Sequence, residues 1–291
     1  DLSKPNLEFR EQFYQQLQDR LNRSKTPLGI DLSESSIRGD FQVNRLGLQM
    51  PFTMAAISSL LTPIEQEILQ KDLSFSTNPG EQISSGTVFR GALKTNQTIF
   101  GGKTDLSHTF FLQKLEAVQA IFTQESFWNN SRFARQTDFS NTIFDRDVNF
   151  SDSNFFDKVN FKQAKFTGDA KFNNSNFHQT TSFELAKFKQ LADFERVIWH
   201  KDTDFNKVNW SDRALFSKNK FLQSLRLTNS TFEKAAAFRN SYFFEDIDLR
   251  DSNLLDQIDF SNVFFKQNKS LKVDGLAFEA DRAKLIGDNG I

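Results

Sequence analysis

Thr137-Asp138-Phe139-Ser140-Asn141-Thr142-Ile143-Phe144-Asp145-Arg146-Asp147-Val148-Asn149-Phe150-Ser151-Asp152-Ser153-Asn154-Phe155 holds the pattern that decides the fold. Phe150 stands eleven positions after Phe139, and Phe155 eleven after Phe144. The first series continues through Phe161, Phe172, Phe183, Phe194, Phe205 and Phe216 to Leu227, Phe238, Leu249, Phe260 and Leu271. The second runs through Phe166, Phe177, Phe188, Trp199, Trp210, Phe221, Phe232 and Phe243 to Leu254, Phe265 and Leu276. Together they make 26 slots, filled by 19 Phe, 2 Trp and 5 Leu, with spacing that alternates 5 and 6. Two residues before most centres sits a small or β-branched companion such as Thr142, Val148, Ser153 or Ala164; Asn219, Lys269 and Asp274 are among the exceptions. The register runs backwards through Phe133, Trp128, Phe122, Phe111, Leu106, Phe100 and Phe89, although Ala117 and Thr95 fall where a large residue is expected.

An 11-residue period also fits three helical turns. At 100° per residue, however, centres five apart lie about 140° apart and form no single stripe. Asn, Asp, Ser, Thr and Phe are also indifferent helix formers. On an extended chain a companion and its centre point the same way. Odd spacing then keeps every centre inward only if a corner intervenes in each unit. Asp145-Arg146-Asp147 and Thr167-Gly168-Asp169 read as such corners. The expected architecture is an all-β solenoid whose coils stack on one another.

Thr137-Asp138-Phe139, Ser153-Asn154-Phe155, Val159-Asn160-Phe161, Ser175-Asn176-Phe177, Thr203-Asp204-Phe205 and Ser252-Asn253-Leu254 resemble the units of the pentapeptide-repeat family. The resemblance implies a right-handed quadrilateral β-helix with four units per coil. The extra residue in every second unit gives about twenty-two positions per coil instead of twenty, with the addition at alternate corners. The β-helix is expected over 87–276, after an N-terminal helical capping segment over 1–86 and before a C-terminal cap and tail over 277–291. Within the first segment, Phe9, Phe13, Leu17 and Leu21, with Tyr14, predict an amphipathic helix after Pro5. Ile30-Asp31-Leu32 and Ser35-Ser36-Ile37, extended by Val43 and Leu48, suggest an outlying coil over 30–49. Thr62-Pro63-Ile64-Glu65 is a capping box expected to open a helix to about Lys71. A loop is expected over 74–86 around Asn78-Pro79-Gly80, and Gly287-Asp288-Asn289-Gly290 reads as tail.

Composition narrows function. Lys plus Arg number 36 and Asp plus Glu 37, so a basic nucleic-acid binder is disfavoured. There is no Cys, which removes disulfides and thiol chemistry. No apolar run reaches the length of a membrane span. Of the three His, His108 lies beside Asp105 and Ser107, where adjacency alone does not make a triad. Asp202 and Asp204 read as solvated repeat polars, and Gly101-Gly102-Lys103-Thr104 carries only the tail of a phosphate-loop pattern. No catalytic residue, cofactor or metal is expected. His178 and His200 fall in one outward column, but no third metal ligand is specified.

That column, read once per expected coil, is Arg90, Leu112, Ala134, Phe156, His178, His200, Leu222, Phe244 and Lys266. Its opposite number is polar: Asp145, Thr167, Lys189, Ser211 and Glu233. An apolar stripe on a solenoid wall marks contact with something. Phe156, His178, His200, Leu222 and Phe244 are therefore the candidate interaction residues, widened by Ile198, Tyr242 and Phe264. Coverage by the 1–86 segment or a second molecule competes with a foreign protein partner. The leading expectation is a non-enzymatic scaffold or protein-interaction module. The resemblance also implies DNA mimicry towards gyrase, but residues 137–276 hold 20 acidic and 20 basic residues, which argues against it. A soluble extracytoplasmic domain of a membrane-associated protein is a further alternative. The chain begins at Asp1 without Met, as a processed or truncated product would, and similar cyanobacterial proteins look exported. A secreted or periplasmic setting is therefore expected, with a cytoplasmic one as the alternative.

Overall fold

The computed structural model describes residues 7–23, 28–51, 62–67 and 85–287. The end of the second expected helix, most of the expected 74–86 loop and the last three residues of the Gly-Asp-Asn-Gly tail lie outside them. Four sheets of ten short strands form the walls of a solenoid. Wall I runs from Ile30–Asp31 to Leu271–Lys272, wall II from Ser36–Ile37 to Ala277–Phe278 and wall III from Phe41–Gln42 to Lys284–Gly287. Wall IV starts with Leu48–Pro51 and Ser85–Phe89 and ends at Phe264–Phe265. Parallel partners are offset by one coil of twenty-two positions through the regular array, as in Thr137↔Val159 on wall I and Phe155↔Phe177 on wall IV. Ten rungs at about 4.8 Å give a rod on the order of 45 Å long.

The alternating spacing corresponds to two kinds of corner. Between walls I and II, and between III and IV, the chain makes a tight turn, closed for instance by Thr142 N–H donating to Phe139 O at 3.2 Å. Its third residue is left-handed: from Gln97 to Asn262 every eleventh residue has φ between 52° and 62°. Half of these sixteen are Asn or Asp, whose short polar side chains tolerate that region best. The other two corners are wider and hold the sixth residue, as at Asp145-Arg146-Asp147.

Every centre from Phe139 through Phe260 is buried. Rings stack rung over rung: Phe194 lies 4.8 Å from Phe172 and 5.1 Å from Phe216, with Phe183 edge-on at 5.4 Å. Small companions make room for the rings, and Ser does more. Ser153 Oγ donates to Trp128 O at 2.9 Å and accepts from Ser131 N–H at 3.1 Å. Ser175 repeats the pattern with Phe150 O and Ser153 N–H. A buried hydroxyl at this slot thus satisfies two main-chain groups of the preceding coil. Where Thr95 and Ala117 replace a large centre, the companions Leu93 and Leu115 are large and buried instead. Volume is conserved by exchanging the two positions.

The ends depart from the pattern. At the start, Ile30–Asp31, Ser36–Ile37 and Phe41–Gln42 pair in parallel with the next coil, so stacking begins well before Thr87. Val43–Arg45 then forms a 3-10 turn, and Leu48–Pro51 runs antiparallel to Ser85–Phe89. Leu48 consequently packs in the cluster outside wall IV and does not extend the inward series. Gly47 permits the reversal: a Cβ there would lie 2.3 Å from Thr87 Cγ2 and 2.8 Å from Val88 O. Helix α1, Leu7–Arg23, closes this end by seating Tyr14, Leu17 and Leu21 on the core.

Near the other end the register slips by two positions. Leu271 pairs with Ile247 and takes the companion slot, which leaves Val273 as the centre. Phe278 pairs with Leu254, so Leu276 is likewise a companion. The added residues lie between Lys266, still in step with Phe244, and Leu271, around left-handed Asn268. This removes the apparent anomaly of charged companions at Lys269 and Asp274.

Candidate interaction surface on the fourth wall

Inward and outward positions alternate along wall IV. Phe155 is buried, whereas its neighbours Asn154 and Phe156 face out. Main-chain bonds hold the outward column in line: Phe156 N–H donates to Phe133 O, His178 N–H to Phe155 O and His200 N–H to Phe177 O. The side chains therefore stack outside as the core rings stack inside. Phe156 and His178 lie 4.8 Å apart at 14°, and His178 and His200 lie 4.5 Å apart at 16°. Leu222 and Phe244 follow, both partly buried, and Lys266 ends the column exposed. Beside them Tyr242 and Phe264 are 47% and 53% exposed, with ring centroids 5.8 Å apart.

Burial pushes His178 down from 6.5 to about 4, and the adjacent His200 adds to the effect. His200 is lowered by burial and then by Lys201. Both imidazoles are neutral at pH 7, which suits a stacked pair and removes charge from the middle of the stripe.

The first part of the column is covered by the chain itself. Met50 joins Val88, Phe110, Leu112 and Ala134 in a second buried cluster, against which Leu48 and Phe156 pack. Residues 63–67 form a helical turn, begun by the expected capping box: Thr62 N–H donates to Glu65 Oε2 at 2.7 Å and Glu65 N–H to Thr62 Oγ1 at 3.4 Å. Glu65 then grips Arg90 through Nε–Oε1 at 2.7 Å and Nη2–Oε2 at 2.9 Å, with both side chains buried. Burial alone would raise the Glu65 carboxyl, but Arg90 and Thr62 together hold it below its ordinary value. The sequence revealed the capping box and Arg90 separately. They lie too far apart along the chain for their meeting to have a local signal.

The other candidate motifs have structural work. Asp105 Oδ1 accepts from Ser107 N–H and Oγ–H, and His108 takes the left-handed corner position. At Gly101-Gly102-Lys103, the Gly101 and Lys103 amides donate to Ile37 O and Asp40 Oδ1, so they do not form a phosphate cradle. Asp204 accepts from Asn206 N–H and lies 3.7 Å from Arg226, while Asp202 accepts from Ser224 N–H. Both border an open groove of about 470 Å³ on wall I. Among the described residues no three His, Asp or Glu side chains cluster as metal ligands. No helix of the described residues is long and apolar enough to cross a membrane.

Residues 161–209 match the family model of the pentapeptide repeats, described as nine copies. Units of the same 5 and 6 spacing continue on both sides of that stretch, so the match falls within a longer β-solenoid of like repeats. No curated protein and no solved structure matches the chain.

Proposed function

We propose that this solenoid is a non-enzymatic scaffold that presents the outer column of wall IV to a protein partner. One observation carries the reading: a stacked outward ladder through Phe156, His178 and His200 runs on into Leu222 and Phe244 and then into exposed Tyr242 and Phe264. The corresponding slot on the opposite corner is polar, and there Ser211 and Glu233 bond to each other at 3.1 Å. The chain's own cover accounts for the column as far as Phe156; beyond it, a repeat that needs only its inward residues to fold has no structural reason to place Leu222, Tyr242, Phe244 and Phe264 on one outer edge. The side chains that could do acid–base work already serve corners and ladders, which favours binding over catalysis.

A photo-crosslinking residue installed at Leu222, and in parallel at Lys189 on the opposite corner, tests this in the source cells. Position 222 should yield adducts of higher mass that position 189 does not. Equal yields from both, or none from 222, would overturn the reading. An extracytoplasmic setting is part of the same proposal, and the absence of Cys is compatible with it. Fractionation that found the protein only in the cytoplasm would remove that part.

A further inference from the structure

The C-terminal half of wall IV has a charge pattern as distinctive as its apolar strip. Lys218, Lys220, Lys201 and Lys266 border Ile198, Leu222, Tyr242 and Phe244, and none of the four pairs with a carboxylate among the described residues. Glu245 and Asp246, which follow Phe244, are engaged with Lys269 and with Lys272 at 2.9 Å, and Asp202, next to Lys201, accepts from Ser224 N–H. Lys220 stands within the outward strand column, between Ile198 and Tyr242, while Lys201 and Lys218 lie at the corners on either side and Lys266 at the end, so the apolar strip is interspersed with and flanked by cations.

The molecule shows at the other end of the same column what such a surface takes. There the cation is Arg90, the apolar rungs are Leu112 and Ala134, and the cover is the helical turn at 63–67 together with Leu48 and Met50 of the antiparallel strand Leu48–Pro51. Glu65 of the turn pairs with Arg90, and Met50 lies on the apolar rungs. The column closes with the mirror order: Leu222, Phe244, then the cation Lys266. Rungs about 4.8 Å apart are also close to the 5.4 Å pitch of a helix laid along the axis.

We infer that the strip around Leu222, Tyr242, Phe244 and Phe264 docks an acidic amphipathic helix of a partner protein, with its apolar face on the strip and its carboxylates on Lys218, Lys220 and Lys266. This rests on the proposed use of wall IV and names the chemistry of the partner. The lysines select against cationic partners, and the aromatic rungs supply desolvated contact. Tyr242 and Phe264, the most exposed, stand to lose the most surface on docking.

The test uses the whole protein and three probes. One is a synthetic helical peptide of about 18 residues, five turns, with leucine on one face and glutamate on the other. The second is the same peptide with lysine in place of glutamate, and the third is phosphatidylserine vesicles. The glutamate peptide should bind at least about tenfold more tightly than the lysine peptide, a difference of about 1.4 kcal/mol. Lys220→Glu with Lys266→Glu, or Tyr242→Ser with Phe264→Ser, should each weaken it about tenfold, with circular dichroism unchanged. Equal affinity for both peptides, or indifference to these variants, overturns the inference. Binding to vesicles without binding to the glutamate peptide overturns it in favour of a lipid surface. Self-association lost with Phe264→Ser in light scattering overturns it in favour of a second copy. If position 222 crosslinks a partner while the glutamate peptide fails to bind, the surface survives and the acidic helix does not.

Discussion

At the scale of single residues, the left-handed corner is the costliest recurring demand. Eighteen non-glycine residues among those described hold φ between 52° and 64°, and each L-residue there costs of order 1–2 kcal/mol relative to the right-handed region, least for Asn and Asp. Leu185 is the one aliphatic residue among them, at φ 62°. Leu185→Asn should therefore raise stability by about half to one kcal/mol, read as a higher midpoint in thermal or urea unfolding. A lower midpoint would mean that Leu185 contributes packing that the corner geometry does not suggest. The core carries a different residue-scale feature: the indole Nε1 atoms of Trp128, Trp199 and Trp210 are buried without an acceptor among the described residues. Ring stacking with Phe177 at 4.5 Å for Trp199, and with Phe188 at 4.7 Å for Trp210, offsets the lost hydrogen bond.

At the scale of the element, the outer column couples stacking to protonation. Unfolded imidazoles take up protons near 6.5, whereas folded His178 does so only near 4. Between those values the unfolded state binds more protons, so this contribution is fully present above pH 6.5 and declines as pH falls through the window. The urea midpoint of the wild type should therefore fall more between about pH 7 and pH 4.5 than that of His178→Phe, which keeps the ring and removes the proton site. Parallel curves for the two proteins would show that the stack is not sensitive to protonation. Much of this element was legible in the sequence, because inward and outward positions on a short strand differ by one residue and the register survives eleven-residue steps. Leu48 was not, since the chain reverses after a 3-10 turn and a strand can join a wall in either direction. The slip after Lys266 was only half visible: Lys269 and Asp274 signalled it as misplaced companions, but the pattern still offered Leu271 and Leu276 as centres.

At the scale of the whole molecule, stability in a solenoid is mainly a sum over neighbouring coils, so the two ends decide where opening begins. Helix α1 covers the first coil with buried Tyr14 and Leu21. The last coil leaves Val273 at 39% and Phe278 at 52% exposure on what are inward slots in earlier coils. Amide exchange should therefore begin at 264–287 and proceed inward, with 28–46 exchanging later despite its irregular fourth side. Earlier exchange at 28–46 would mean that α1 does not cap.

The account depends most on a one-residue distinction on wall IV, between what the fold needs and what it presents. Phe221 and Phe243 are buried rungs that stack 5.0 Å apart, and each is followed at once by an outward residue, Leu222 or Phe244. Thermal unfolding of two double variants tests that distinction directly. Leu222→Ser with Phe244→Ser should keep the β spectrum and a cooperative transition within a few degrees of wild type, while losing the adducts that a photo-crosslinking residue at Tyr242 gives in the otherwise wild-type protein. Phe221→Ser with Phe243→Ser should lose about 3–5 kcal/mol at each site and unfold the surrounding coils. Equal loss from the two pairs, or collapse of the outward variant alone, would contradict the register and the interaction surface built on it.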